Sequence, residues 1–153
     1  MSENKFDLIH IDTWGLFATP TTEGYKYFLT IVDDYSQATW VYLMKTKNEV
    51  LQIFPDFLKI VETQYGTLVK AVRSDNAPEL RFEALYKAKG IISYHSCPET
   101  PQQNSVVERK HQHILNVARA LMFEANIPLE FWGDCILSAV FLINRLPTPL
   151  LSN

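Results

Sequence analysis

Cysteine is nearly absent. Only Cys97 and Cys135 occur, far apart and without a second Cys or His at zinc-binding spacing, so neither a disulfide framework nor a structural zinc site is indicated and a reducing compartment is expected. Long apolar runs are missing too: nothing approaches the ~20 residues that cross a bilayer. Met1 to Lys5 is polar and charged rather than a secretory leader, so neither membrane insertion nor secretion is expected. The chain also lacks basic excess, with 14 Lys plus Arg against 17 Asp plus Glu and a net charge of -3. Such a balance differs from the strongly basic surface of an autonomous nucleic-acid binder. A DNA-handling chain of this charge needs a local basic patch, a bound metal or basic domains supplied from elsewhere. Internal repeats and low-complexity segments are absent as well. What the chain has in quantity is apolar material: 47% of its 153 residues are hydrophobic, including 3 Trp, 7 Tyr and 9 Phe. That is enough to build one compact domain and to exclude intrinsic disorder.

The order of elements follows from periodicity. Phe6 to Thr13 is a short apolar stretch with Asp12 near its end, read as a strand. After the turn-rich Thr19 to Gly24, Tyr25 to Val32 and Thr39 to Met44 are aromatic and β-branched runs separated by Asp33-Asp34, which read as turn residues of an antiparallel meander. Val50, Ile53, Phe54, Phe57, Leu58, Val61 and Tyr65 then recur at three- and four-residue steps, the stripe of an amphipathic helix that Gly66 terminates. Leu68 to Arg73 reads as a fourth strand, Glu79 to Lys89 as a helix stopped by Gly90, and Ile91 to His95 as a fifth strand. Cys97 to Asn104 has two Pro and no periodicity, so it is a loop. Val107, His111, Ile114, Ala118, Leu121, Met122 and Ala125 mark a long helix, and a last helix runs from Pro128 until Pro147 ends it. This order predicts an α/β three-layer fold, a mixed five-stranded sheet flanked by helices.

Carboxylates carry the chemistry. Asp12 lies in an apolar strand, where an uncompensated charge is costly; Asp75 follows the fourth strand, and Glu108 falls on the first turn of the long helix. Strand ends in such a sheet can bring distant residues to one site. Three converging carboxylates suit Mg²⁺, a hard cation that takes oxygen ligands and commonly binds through carboxylates and substrate phosphates. Two ions held ~4 Å apart can activate a hydroxyl and stabilise the leaving oxygen of a phosphodiester. Each residue also has a plainer reading. Asp12 could be a solvated strand-end residue, and Asp75, ahead of Asn76 and Pro78, could form an Asx-turn. Ser105-Val-Val-Glu108 fits a capping box that would turn Glu108 back to the helix start, unless the helix begins upstream. Asp33 and Asp34 point to opposite faces of a strand and cannot share one ion. His111 and His113, two apart on a helix, do not make a zinc site, although His111 could line the carboxylate site.

The sequence contexts narrow this further. Asp12 in His10-Ile-Asp-Thr-Trp-Gly, Asp75 in Arg73-Ser-Asp-Asn, and Glu108 in Thr100-Pro-Gln-Gln-Asn-Ser-Val-Val-Glu-Arg-Lys-His together resemble the integrase catalytic core of copia-type retrotransposons, within the retroviral integrase superfamily. Ile31-Val-Asp-Asp-Tyr-Ser, Trp40-Val-Tyr, Phe131-Trp-Gly and Leu142-Ile-Asn-Arg extend the resemblance over roughly residues 6 to 150. It implies a ribonuclease-H-like fold, with Asp12, Asp75 and Glu108 as catalytic ligands of Mg²⁺ or Mn²⁺, two ions in all. It also implies DNA contacts from Gln103, Asn104, Arg109 and Lys110. Residues 1–153 would be one integrase core, with the family's amino-terminal zinc-binding region and carboxy-terminal extension outside them. Ala77 and Ser105 stand where glycine is frequent in the family, and the Asp75 to Glu108 spacing is shorter than in retroviral members.

The expected function is a metal-dependent polynucleotidyl transferase and endonuclease that trims retrotransposon DNA 3′ ends and joins them to target DNA. Its expected partners are those DNAs and further copies of itself, with no membrane. Its expected location is the nucleus and cytoplasm, in a virus-like particle or preintegration complex. Two other readings stay open: a catalytically silent or domesticated module that binds nucleic acid or protein through the same fold, and a ribonuclease H, which shares fold and metals.

Overall fold

The computed structural model describes residues 2–75, 77–95 and 105–146. Five strands form one mixed sheet in the order β3-β2-β1-β4-β5. β1 (Ile9–Trp14), β2 (Tyr27–Asp33) and β3 (Thr39–Met44) form the antiparallel meander, while β4 (Ala71–Ser74) lies parallel to β1 and β5 (Ile92–His95) parallel to β4. Each parallel step needs a crossover, which α1 (Val50–Tyr65) and α2 (Glu83–Lys89) supply. α3 (Ser105–Glu124) and α4 (Trp132–Ile143) complete the chain.

Strand alternation divides the sheet into two faces. Ile9 and Ile11 of β1 and Leu29 and Ile31 of β2 pack with Phe54, Phe57, Leu58 and Val61 of α1 and Tyr86 of α2. Phe28, on the other face of β2, packs with Ile114, Leu115 and Ala118 of α3 and with Trp132, Ile136, Ala139 and Ile143 of α4. The predicted three layers are therefore present. Asp12 pairs in register with Thr30, two residues from Phe28, which puts Asp12 on the α3–α4 face.

α1 occupies the span its stripe predicted, ending at Gly66, whose φ of 64° is a left-handed cap that favours glycine. Other boundaries move. β1 begins at Ile9 rather than Phe6, because Phe6 has a φ of 65° and cannot lie in a strand. β4 begins at Ala71, where pairing with β5 starts. The helix expected over Glu79 to Lys89 is a 3₁₀ turn, Pro78–Leu80, followed by α2 from Glu83, since Arg81 is extended. Pro128 precedes another 3₁₀ turn, Leu129–Phe131, instead of opening the last helix itself. No helix among the described residues is long and apolar enough to cross a membrane.

Several residues of the sequence contexts quoted above prove architectural. Trp132 stacks on Phe17 with ring centroids 3.8 Å apart and donates its indole N–H to the Thr19 carbonyl at 2.7 Å. Beside it, Gly133 lets α4 approach β3, where a Cβ would stand 2.9 Å from Leu43 Cδ1. Asn144 ties the far end of α4 to the sheet, accepting from the Thr39 amide at 2.9 Å and donating to the Thr39 carbonyl at 2.7 Å. Asp33 and Asp34 do more than turn the chain. Asp33 closes β2 and Asp34 opens the turn that follows, as their sequence position predicts, but Asp33 is fully buried and Asp34 is 8% exposed. Asp33 accepts from the Phe6 amide at 2.8 Å and the Ser36 hydroxyl at 2.6 Å, and Asp34 accepts from the Ser2 amide at 2.7 Å and meets His10 Nε2 at 2.8 Å. Together they fasten the amino-terminal segment to the sheet.

Candidate active site

β1, β4 and α3 each deliver one carboxylate to a common opening. Asp12 projects from β1 toward α3; Asp75 directly follows β4; Glu108 lies one turn into α3. All three line a single cleft of about 700 Å³, together with Thr13, Trp14, Arg109, His111 and Gln112. Ser105 is already helical, and Glu108 is exposed at the cleft. Asp75 does make the expected local turn, its Oδ1 accepting from the Ala77 amide at 3.0 Å, and it faces the cleft as well.

The electrostatics distinguish Asp12. Its Oδ1 accepts one backbone hydrogen bond, from Thr13 at 2.9 Å, and its Oδ2 stands 3.9 Å from His111 Nδ1. Burial, then the nearby negative charge of Asp75 and of Glu108, pushes the Asp12 carboxyl up to about 7, against a single opposing hydrogen bond from Thr13. Burial and like charge disfavour the carboxylate that a metal would require. A divalent cation reverses that penalty, and the available donors are anionic oxygens, the set that suits Mg²⁺ or Mn²⁺. The residues therefore fit such an ion. Among the described residues no three His, Cys, Asp or Glu side chains stand in ready-made ligating geometry; mutually repelling carboxylates are expected to splay when nothing holds them together.

Of the other residues expected at the site, Arg109 lines the cleft and is exposed, whereas Lys110 is half-buried and its ammonium is held below its ordinary pKa by burial. Gln103 and Asn104 lie outside the described residues. Trp14 and Gln112 went unmarked in the sequence, although spacing could have found them: Trp14 is two residues beyond Asp12 on the same strand face, and Gln112 is one turn beyond Glu108. His111 is 2% exposed, lies between Trp14 and Phe28, and is pushed down to about 4 by burial, so its imidazole is neutral near pH 7.

Comparison with known proteins bears on the family and the fold. A family model described as "Integrase core domain" matches residues 3–101. A retrovirus-related Pol polyprotein from transposon TNT 1-94 of Nicotiana tabacum is 38% identical over 148 residues, covering 95% of this chain and 11% of the polyprotein. Another, from transposon RE2 of Arabidopsis thaliana, is 35% identical over 98% of this chain and 10% of its own length. The chain thus spans about a tenth of these relatives. Among solved structures, the HTLV-2 integrase catalytic core domain in complex with magnesium superposes with a TM-score of 0.66 at 18% identity, covering 96% of this chain and 90% of that one. The catalytic core domain of BIV integrase gives 0.62 at 21% identity, over 93% and 86%. The shared fold is the ribonuclease-H-like fold expected from the sequence. The chain belongs to the integrase core domain family, as the catalytic core of a copia-type retrotransposon integrase.

Proposed function

We propose that the chain is the catalytic core of a metal-dependent polynucleotidyl transferase, which trims the 3′ ends of retrotransposon DNA and joins them to target DNA. The single observation that carries this reading is the convergence of Asp12, Asp75 and Glu108, from three separate elements, on one cleft where burial and then the charge of Asp75 and Glu108 raise the Asp12 pKa. Asp12, Asp75 and Glu108 would hold the divalent ions. When bound, Mg²⁺ supplies Lewis-acid stabilisation of phosphoryl oxygens and lowers the pKa of an attacking water or 3′ hydroxyl. The protein's part is positioning and charge. Asp12, Asp75 and Glu108 would place the ions, and through them the reacting phosphodiester, at the sheet end, and Arg109 at the cleft edge offers a cation to the DNA backbone, with Gln103, Asn104 and Lys110 as further contacts. No covalent protein nucleophile is needed.

DNA-binding strength would come largely from elsewhere in the polyprotein, because the core's charge of -3 gives little general attraction to phosphate. Self-association fits the surface of α4, where Leu137, Phe141 and Leu142 are 43%, 55% and 42% exposed. The working location is a virus-like particle or preintegration complex, in cytoplasm and nucleus. Strand transfer by the full-length integrase tests the reading. With Mg²⁺ the wild type joins donor ends to target DNA, while Asp75→Asn, which removes a charge at nearly constant volume, is inactive with an unchanged circular-dichroism spectrum. Equal activity in the variant defeats the assignment. A folded but inert wild type favours a silent remnant, and selective cleavage of RNA in a hybrid favours a ribonuclease H.

A further inference from the structure

His111 is a buried polar side chain set among aromatic rings, with one edge turned toward Asp12. α3 presents it three residues after Glu108, on the same helix face. Trp14 and Phe28 hold the imidazole in edge-on contacts, with centroids 5.7 Å and 5.6 Å away and interplanar angles of 65° and 88°. The ring is thus clamped by one residue from β1 and one from β2. Its Nε2 is buried with no hydrogen-bond partner, and its Nδ1 faces Asp12 Oδ2 at 3.9 Å.

We infer that His111 is a positioning residue for Asp12, its ring clamped by Trp14 and Phe28 so that the Nδ1 edge holds the Oδ2 side of the carboxylate toward the cleft. This rests on the function proposed above and adds a residue to its site. A neutral imidazole carries one N–H. Once Asp12 is ionised, as it would be around a cation, a bare Nδ1 lone pair would repel the facing carboxylate, whereas an Nδ1–H dipole attracts it, so the proton then belongs on Nδ1 and Nε2 is left as a bare acceptor. The separation exceeds hydrogen-bond length, so Oδ2 keeps its lone pairs available, while the Thr13 amide holds Oδ1 from the other side at 2.9 Å. Asp12 is bracketed rather than tethered. Partners of this kind, behind metal-binding carboxylates, typically account for ~10–100-fold in metal affinity or activity.

Three substitutions separate this role from packing. Phe fills the slot between Trp14 and Phe28 and removes the orphaned nitrogen, so His111→Phe keeps or raises the melting temperature. Its kcat for strand transfer by the full-length protein falls ~10–100-fold with little change in KM for DNA, and the Mg²⁺ concentration giving half-maximal thermal stabilisation rises by a similar factor. His111→Asn, whose amide can place a donor near the Nδ1 position, recovers most of both. His111→Ala loses activity and stability together. A His111→Phe protein with wild-type kcat and wild-type Mg²⁺ midpoint overturns the inference. Should His111→Phe fail to fold, ¹⁵N chemical shifts of the wild-type ring at pH 9, where Asp12 is ionised, decide: a proton on Nδ1 supports the inference, and one on Nε2 overturns it. That measurement needs no activity, so it judges His111 even if an inert wild type has already overturned the proposed function.

Discussion

Asp33 and Asp34 at the end of β2 and Asp12 in the neighbouring β1 are all carboxylates taken largely out of water, yet the structure treats them in opposite ways. Asp33 is ringed by donors, accepting from the amides of Phe6 and Ser36 and from the Ser36 hydroxyl. Asp34 receives the Ser2 amide and hydroxyl and meets His10. Burial of Asp34 favours the neutral acid, but the His10 and Ser2 hydrogen bonds outweigh it and hold its pKa below the ordinary value. Asp12 has one backbone donor and two carboxylate neighbours, and its pKa moves the other way, to about 7. Adjacent strands thus carry one acidic group completed by the protein and another left incomplete. A desolvated charge with its donors in place reads as architecture; one left uncompensated beside an open cleft reads as a site awaiting a cation.

The largest effect expected from breaking this contrast is on activity. Asp12→Asn and Glu108→Gln should each lower strand transfer by ~10²–10³-fold or more, measured on the full-length protein under saturating DNA, while Asp34→Asn leaves the chemical step nearly intact in whatever fraction folds. Next comes stability at the completed group. Asp33→Ala strands the Phe6 and Ser36 amides and should cost about 2–4 kcal/mol in urea denaturation. Asp12→Asn has the opposite sign. The Asp12 pKa is raised from 3.8 to about 7, so the folded state binds a proton that the unfolded state has released, and stability falls as pH rises across that window. The full shift corresponds to about 4 kcal/mol as an upper bound. The metal-free Asp12→Asn protein should therefore be more stable than wild type at pH 8 and little different at pH 4. Asp34, with its pKa lowered, contributes stability that is present above its unfolded pKa and lost on acidification below it. A smaller effect should come from Mg²⁺ itself, which raises the wild-type melting temperature by a few degrees at ~10 Kd and leaves Asp12→Asn unmoved.

How far the sequence displayed this contrast depended on distance along the chain. α1 and β3 were legible to the residue because their signals, a 3.6-residue stripe closed by Gly66 and a β-branched run, are local. β1 and β4 were shifted because strand ends are set by pairing partners far away. The turn at Asp33 and Asp34 is a local signal, but their burial is not: groups that satisfy them, Ser2, Phe6 and His10, sit more than twenty residues upstream. Asp12, Asp75 and Glu108 were named from their sequence contexts, but the clamp of Trp14 and Phe28 around His111 joins β1, β2 and α3 and leaves no local pattern. Arg109 and Lys110 are named together by the family resemblance; that Arg109 lines the cleft while Lys110 is half-buried depends on packing that the sequence does not show.

Anomalous diffraction from crystals of the chain soaked in Mn²⁺ tests the central claim most directly. The account predicts a peak in the cleft between β1 and α3, bonded to oxygens of both Asp12 and Asp75 with Glu108 completing the site, and its disappearance in Asp75→Asn. Manganese bound only at Asp33 and Asp34, or a cleft still empty at millimolar Mn²⁺ with all three carboxylates ordered, would contradict it.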